Sequence, residues 1–125
     1  MNMTIRVLPQ ALTVCKVEHI SEIDLSRPFY FIGRTDDELS LVCETECTPA
    51  HTLEREDGWR GFRVEGEVDF SLVGILAEIS GILAESGVSL FAVSTYNTDY
   101  VLVKADKLDR ALKALSGRGY AVEWE

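Results

Sequence analysis

The chain has 125 residues, 46% of them hydrophobic, enough to bury a core without disulfide staples and the usual size for one domain. A formal net charge of −9, with twelve scattered Lys and Arg, argues against nucleic acid and anionic membranes as partners and suits a cationic or zwitterionic ligand. Cys15, Cys43 and Cys47 are an odd number, and no apolar run has signal-peptide or membrane-spanning length, which predicts reduced thiols in a soluble, cytoplasmic protein.

The N-terminal half reads as strands at residues 12–18, 29–34 and 38–44, the last two joined by the turn Thr35-Asp36-Asp37. Cys15 and Cys43 fall inside these apolar patterns and are expected in the core. Between the first two strands about eleven residues remain, including Pro28, which leaves room for at most one helical turn. Residues 45–58 contain Pro49 and the charged run Glu54-Arg55-Glu56-Asp57-Gly58, expected as a solvated connection or as a cover over the first sheet.

From Trp59 the pattern changes. Phe62, Val64 and Val68 alternate with Arg63, Glu65 and Glu67, a strand with one buried face. After the polar loop Asp69-Phe70-Ser71, the residues Leu72, Ile75, Leu76, Ile79, Ile82 and Leu83 form one apolar stripe, and Gly87 is a natural left-handed stop. Residues 88–95 and 99–104 read as a hairpin across Tyr96-Asn97-Thr98. Leu108, Ala111, Leu112 and Leu115 then mark a second helix, with Asp106 as candidate N-cap and Gly117 or Gly119 at its end, before a strand at 120–124.

The order βαββαβ predicts a ferredoxin-like α+β fold with both helices on one face of the sheet. Both sides of the 88–95 segment are apolar, Val88, Leu90 and Ala92 on one and Phe91 and Val93 on the other, so the second face is expected to be covered by the N-terminal half, a partner subunit, or both. The run Thr35-Asp36-Asp37-Glu38-Leu39-Ser40-Leu41-Val42 echoes Tyr96-Asn97-Thr98-Asp99-Tyr100-Val101-Leu102-Val103, which reads as a degenerate repeat. The domain division is then 1–57, a mostly β half without its first helix, and 58–125, the complete unit.

The second half resembles the ACT domain, the amino-acid-binding module of metabolic regulation. The likeness rests on Gly74-Ile75-Leu76-Ala77-Glu78-Ile79, on Ile82-Leu83-Ala84-Glu85-Ser86-Gly87-Val88-Ser89-Leu90, and on the acidic Asp69. Asp69-Phe70-Ser71-Leu72-Val73-Gly74 and Ser94-Thr95-Tyr96-Asn97-Thr98-Asp99 are similar to a tandem subgroup that includes arginine-sensing proteins and small bacterial proteins. Asp37-Glu38-Leu39-Ser40-Leu41-Val42-Cys43 extends the likeness into the first half, which then resembles a degenerate ACT unit lacking its first helix. The loop after Asp69 departs from the general ACT pattern, having no Pro and about two extra residues.

The resemblance implies a site between ACT units, lined by Asp69, Phe70, Ser71, Leu72, Val73, Gly74, Thr95, Tyr96, Asn97 and Asp99. Physically, the N–H groups of residues 71–74 at a helix N-terminus suit a carboxylate, and Asp69 or Asp99 suits an ammonium. Asp69 serves equally as a helix cap, and Asp99 equally as a hairpin residue. Gly74 weakens its helix by about 1 kcal/mol relative to Ala, which points to close packing or close approach of a ligand or subunit.

Cys43, Cys47 and His51 form C-x3-C-x3-H without a suitably spaced fourth ligand, so neither a metal nor a cofactor is expected. No nucleophile elbow, P-loop or GxGxxG occurs, and no catalytic residue is assigned. The expectation is a non-enzymatic regulatory module, a homodimer that binds a free amino acid, the charge leaning towards a basic one, and signals to an unknown protein partner. The alternative is a ligand-free oligomerisation and interaction module.

Overall fold

The computed structural model describes residues 3–66 and 73–125. The chain divides into two compact units, Gln10–Trp59 and Met1–Pro9 together with Arg60–Glu125. The strands are β1 (Met3–Val7), β2 (Leu12–Lys16), β3 (Tyr30–Arg34), β4 (Leu39–Glu44), β5 (Glu54–Gly66), β6 (Phe91–Ser94), β7 (Asp99–Lys104) and β8 (Ala121–Trp124), and the helices are α1 (Val73–Glu85) and α2 (Leu108–Gly117).

In the larger unit the sheet order is β6-β7-β5-β1-β8. Without β1 this is the βαββαβ ferredoxin-like arrangement anticipated from sequence. β1 is an addition: it runs antiparallel to β5, pairing Ile5 with Val64, and parallel to β8, pairing Ile5 with Val122. One face of the sheet, with Ile5, Val7, Phe62, Val64, Val101 and Val103, is buried under the apolar stripes of α1 and α2. Ile79, Ile82 and Leu83 come from the first helix and Ala111, Leu112 and Leu115 from the second, the positions that the helical period selects.

Glycine ends both helices. Gly87 (φ 75°) allows Val88 N–H to donate to Leu83 O at 2.8 Å, and Gly119 (φ 97°) allows Tyr120 N–H to donate to Leu115 O at 3.1 Å. The stop of α2 is therefore Gly119 rather than Gly117. Asp106 is not its cap: it lies in a 3-10 turn, Ala105–Lys107, that leads into the helix.

The opposite face of this sheet is largely a charge ladder. Arg6 Nε lies 3.1 Å from Glu65, Arg6 Nη2 2.7 Å from Glu123, and Arg63 Nε 2.8 Å from Glu65. Only its β6–β7 end is apolar, with Phe91 and Val93 half-buried. Alternation in β1 and β5 delivers paired charges to this face, whereas at its β6–β7 end Phe91 pairs with the buried Leu102.

In the smaller unit the order is β3-β4-β2-β5. The charged run 54–58 is not a solvated linker: it is strand, with Glu54, Arg55 and Glu56 opposite Lys16, Cys15 and Val14. A register shift between Leu12 and Val14 and a positive φ of 85° at Gly58 accommodate it. Between β2 and β3 stands only a 3-10 turn, Ile20–Glu22. Its core is thin, with Cys15, Leu39, Leu41 and Cys43 from strands and Val17 and Ile23 from the connection. The three cysteines are free, and burial pushes the Cys15 thiol up to about 11.

The hairpins of the two units match in detail. Thr35 N–H donates to Glu38 O at 2.9 Å, and Thr95 N–H donates to Thr98 O at 2.8 Å. β4 and β7 share one burial pattern, and each runs into a 3-10 turn. The correspondence is one residue off the echo read from sequence, which matched Glu38 to Asp99 because both are acidic. The turn geometry instead places Thr35 with Thr95 and Leu39 with Asp99, since Arg34 pairs with Leu39 and Ser94 with Asp99.

Leu83 is fully buried between α1 and the sheet, so Leu83→Ala is expected to destabilise the larger unit by about 2–5 kcal/mol in urea unfolding. Gly87→Ala should cost about 1–2 kcal/mol through its left-handed backbone alone.

Candidate functional site

Of the residues expected at the site, Asp69, Phe70, Ser71 and Leu72 lie outside the described residues. Val73 and Gly74 open α1, and Thr95, Tyr96, Asn97 and Asp99 form the β6–β7 turn and the first residue of β7. The turn is built by threonine. Thr95 Oγ1 donates to Thr98 O at 3.0 Å and accepts from Thr98 N–H at 3.2 Å, so the backbone is closed on itself.

Thr98 then ties this turn to the neighbouring strand: its hydroxyl donates to Val64 O at 2.8 Å, near the end of β5. Sequence reasoning passed over Thr98 as generic turn chemistry. A hydroxyl in place of an amide at the last turn position was the available signal. The bond sets the turn beside β5, close to its end at Gly66.

Asp99 is 8% exposed. Strand alternation puts it on the same face of β7 as the core residues Val101 and Val103. Leu39, 5% exposed, holds the corresponding place in the smaller unit. Burying a carboxylate costs solvation that burying a leucine does not, which sets the two positions apart. Tyr96, by contrast, is fully exposed, and Thr95 and Asn97 are exposed with it.

Gly74 is exposed, and a Cβ built on it meets nothing within 4 Å. Packing against the described residues therefore does not require glycine there, which removes close packing within the unit from the reasons sequence offered.

A second feature of the larger unit is a cleft of about 200 Å3 lined by Met3, Ile75, Glu78, Arg118, Gly119 and Tyr120. The Tyr120 hydroxyl donates to the Glu78 carboxylate. Burial first, and this bond second, push the phenol well above its ordinary range. In the smaller unit the cysteines and His51 of C-x3-C-x3-H turn to different neighbours: Cys43 to Thr48 at 3.7 Å, Cys47 to Glu44 at 3.8 Å, and His51 to Glu22 at 3.2 Å. Glu44, Glu46 and Cys47 do cluster, but Arg27 stands 3.9 and 3.8 Å from the two carboxylates.

Among the described residues no helix is long and apolar enough to cross a membrane. A model of the ACT domain family matches residues 54–117. Over 100 residues the chain is 31% identical to the rat (Rattus norvegicus) cytosolic arginine sensor for mTORC1 subunit 1, a match covering 74% of this chain and 30% of that protein. The chain thus spans about a third of the length of that relative. An X-ray structure of a protein from Agobacterium tumefaciens superposes with a TM-score of 0.88 at 28% identity, over 100% of this chain and 95% of that one. Aspartate kinase from Clostridium acetobutylicum, described as an allosteric enzyme, shares the fold with a TM-score of 0.66 at 17% identity, over 94% of this chain and 34% of that one.

The raised phenol pKa sets a pH dependence. Because the folded state holds the Tyr120 proton more tightly, its contribution is complete below about pH 10 and declines as pH rises above that. Urea midpoints measured from pH 9 to 11.5 should fall more steeply for the native chain than for Tyr120→Phe, and equal slopes would contradict the assignment.

Proposed function

The chain belongs to the ACT domain family, and from that premise we propose that it is a non-enzymatic regulatory module that binds a free amino acid. The site is formed by residues 69–74 and the turn residues Thr95, Tyr96, Asn97 and Asp99, and an ACT unit of a second copy completes it. The observation that carries this reading is the buried carboxylate of Asp99 at a strand position that the smaller unit fills with Leu39. The two matching hairpins support a duplicated origin, with an acid at this place in one copy and a leucine in the other.

Asp99 supplies the acceptor for a cationic group of the ligand, and the N–H groups at the start of α1 supply donors for its carboxylate. The exposed Gly74 leaves the backbone open to close approach. Similarity to a protein named as an arginine sensor, together with the acid at position 99, favours a basic amino acid. A charge-assisted hydrogen bond contributes about 1.5–3 kcal/mol, so two or three give roughly millimolar to micromolar affinity. Full exposure of Tyr96 fits a residue that packs against the second copy in a cytoplasmic homodimer.

Thermal shift against the twenty amino acids tests the reading. One ligand, expected to be basic, should stabilise by about 2.7 kcal/mol at a hundredfold excess over its dissociation constant. Asp99→Leu should keep or raise the melting temperature and abolish that shift. If no amino acid shifts the native chain at millimolar concentration, the ligand-free interaction module is the better reading. Gly74→Ala should raise the ligand-free melting temperature by a few degrees, worth up to about 1 kcal/mol, while weakening the ligand shift; a strengthened shift would count against close approach at Gly74.

A further inference from the structure

The two units cover corresponding sheet faces differently. In the larger one, α1 follows the first strand and closes the core with α2. In the smaller one the connection from β2 to β3 offers a single 3-10 turn, and it buries Val17, next to β2, and Ile23. Ile20 on that turn is 42% exposed, Leu25 beyond it 54%, and Leu53 just before β5 47%. These are three large apolar side chains in a fifty-residue unit, two of them in the stretch where the other unit has a helix.

Charge is distributed as unevenly as cover. Residues 10–59 hold eleven Asp and Glu against four Lys and Arg, whereas the rest of the chain holds ten against eight. A cleft of about 240 Å3 in the smaller unit combines both features. Val17, Leu39 and Leu53 give it apolar lining, and four acids, Glu18, Asp36, Asp37 and Glu38, outnumber the two bases, Lys16 and Arg34, that line it with them. The side chains of Asp36 and Asp37 make no ion pair among the described residues, so an incoming cation displaces none.

We propose that this face of the smaller unit is a docking surface for a basic amphipathic helix from another protein. The helix lays its apolar stripe over Ile20, Leu25 and Leu53, where the fold's own first helix would lie, and its Lys and Arg meet the acidic turn 36–38. Charge complementarity selects the partner: an acidic or neutral helix meets a like-charged rim, and a basic segment without an apolar face leaves the three hydrophobic side chains wet. The surface lies wholly within residues 10–59 and stands independently of the amino-acid site.

The test uses the full chain and three synthetic helical peptides of roughly 18 residues, about five turns each. One carries Leu at i, i+3, i+4 and i+7 with Lys elsewhere, the second replaces Lys with Glu, and the third keeps Lys but replaces Leu with Gln. The Leu/Lys peptide is expected to bind, with amide NMR shifts confined to the surroundings of Ile20, Leu25, Leu53 and residues 35–38. The exposed-site variants Asp36→Lys/Asp37→Lys and Leu53→Ser should each weaken it about tenfold, with melting temperature unchanged. Equal binding of the Gln/Lys peptide, shifts centred on residues 60–125, undiminished binding by both variants, or no binding of the Leu/Lys peptide would each overturn the proposal.

Discussion

An antiparallel sheet has two faces, and the energetics of this protein turn on what lies over them. Apolar burial contributes about 25 cal/mol per Å2, so an uncovered strand face forfeits the main term that offsets chain entropy. The larger unit meets this with two helices on one side and a ladder of Arg and Glu on most of the other. The smaller unit has neither helix and keeps a core of few buried residues beside exposed Ile20, Leu25 and Leu53. The larger unit holds the larger buried cluster, while the smaller leaves Ile20, Leu25 and Leu53 exposed beside its own.

The same constraint gives Asp99 its meaning. Position by position, the hairpins of the two units agree in turn bonding, strand burial and the 3-10 turn that follows. Against that background, an acid in a buried place that elsewhere holds Leu39 is a departure from what packing selects. Thr98 has a complementary part, since its bond to Val64 fixes the turn that presents Asp99.

Much of this was legible in the chain. The stripes of Ile79, Ile82 and Leu83 and of Ala111, Leu112 and Leu115, the glycine at 87, and the strands beginning at Leu12 and Asp99 follow from periods of 3.6 and 2, which depend only on near neighbours. So did the lack of a helix between β2 and β3, because too few residues remained there. Less legible were strands whose evidence lies elsewhere. Met3–Val7 is short and opens the chain, and the run Glu54–Gly58 looks solvated because its charges project from the sheet while its backbone pairs with β2.

By itself, then, the sequence determined the βαββαβ order and the helix faces, which are properties of local spacing, and its motifs carried the resemblance of the 58–125 region to the ACT domain. The tertiary structure alone decided that β1 enters between β5 and β8, that residues 54–58 are strand, and that Leu39, not Glu38, corresponds to Asp99. Strand partners and register depend on hydrogen bonds between residues far apart in the chain, and a shift of one residue exchanges the buried and exposed faces.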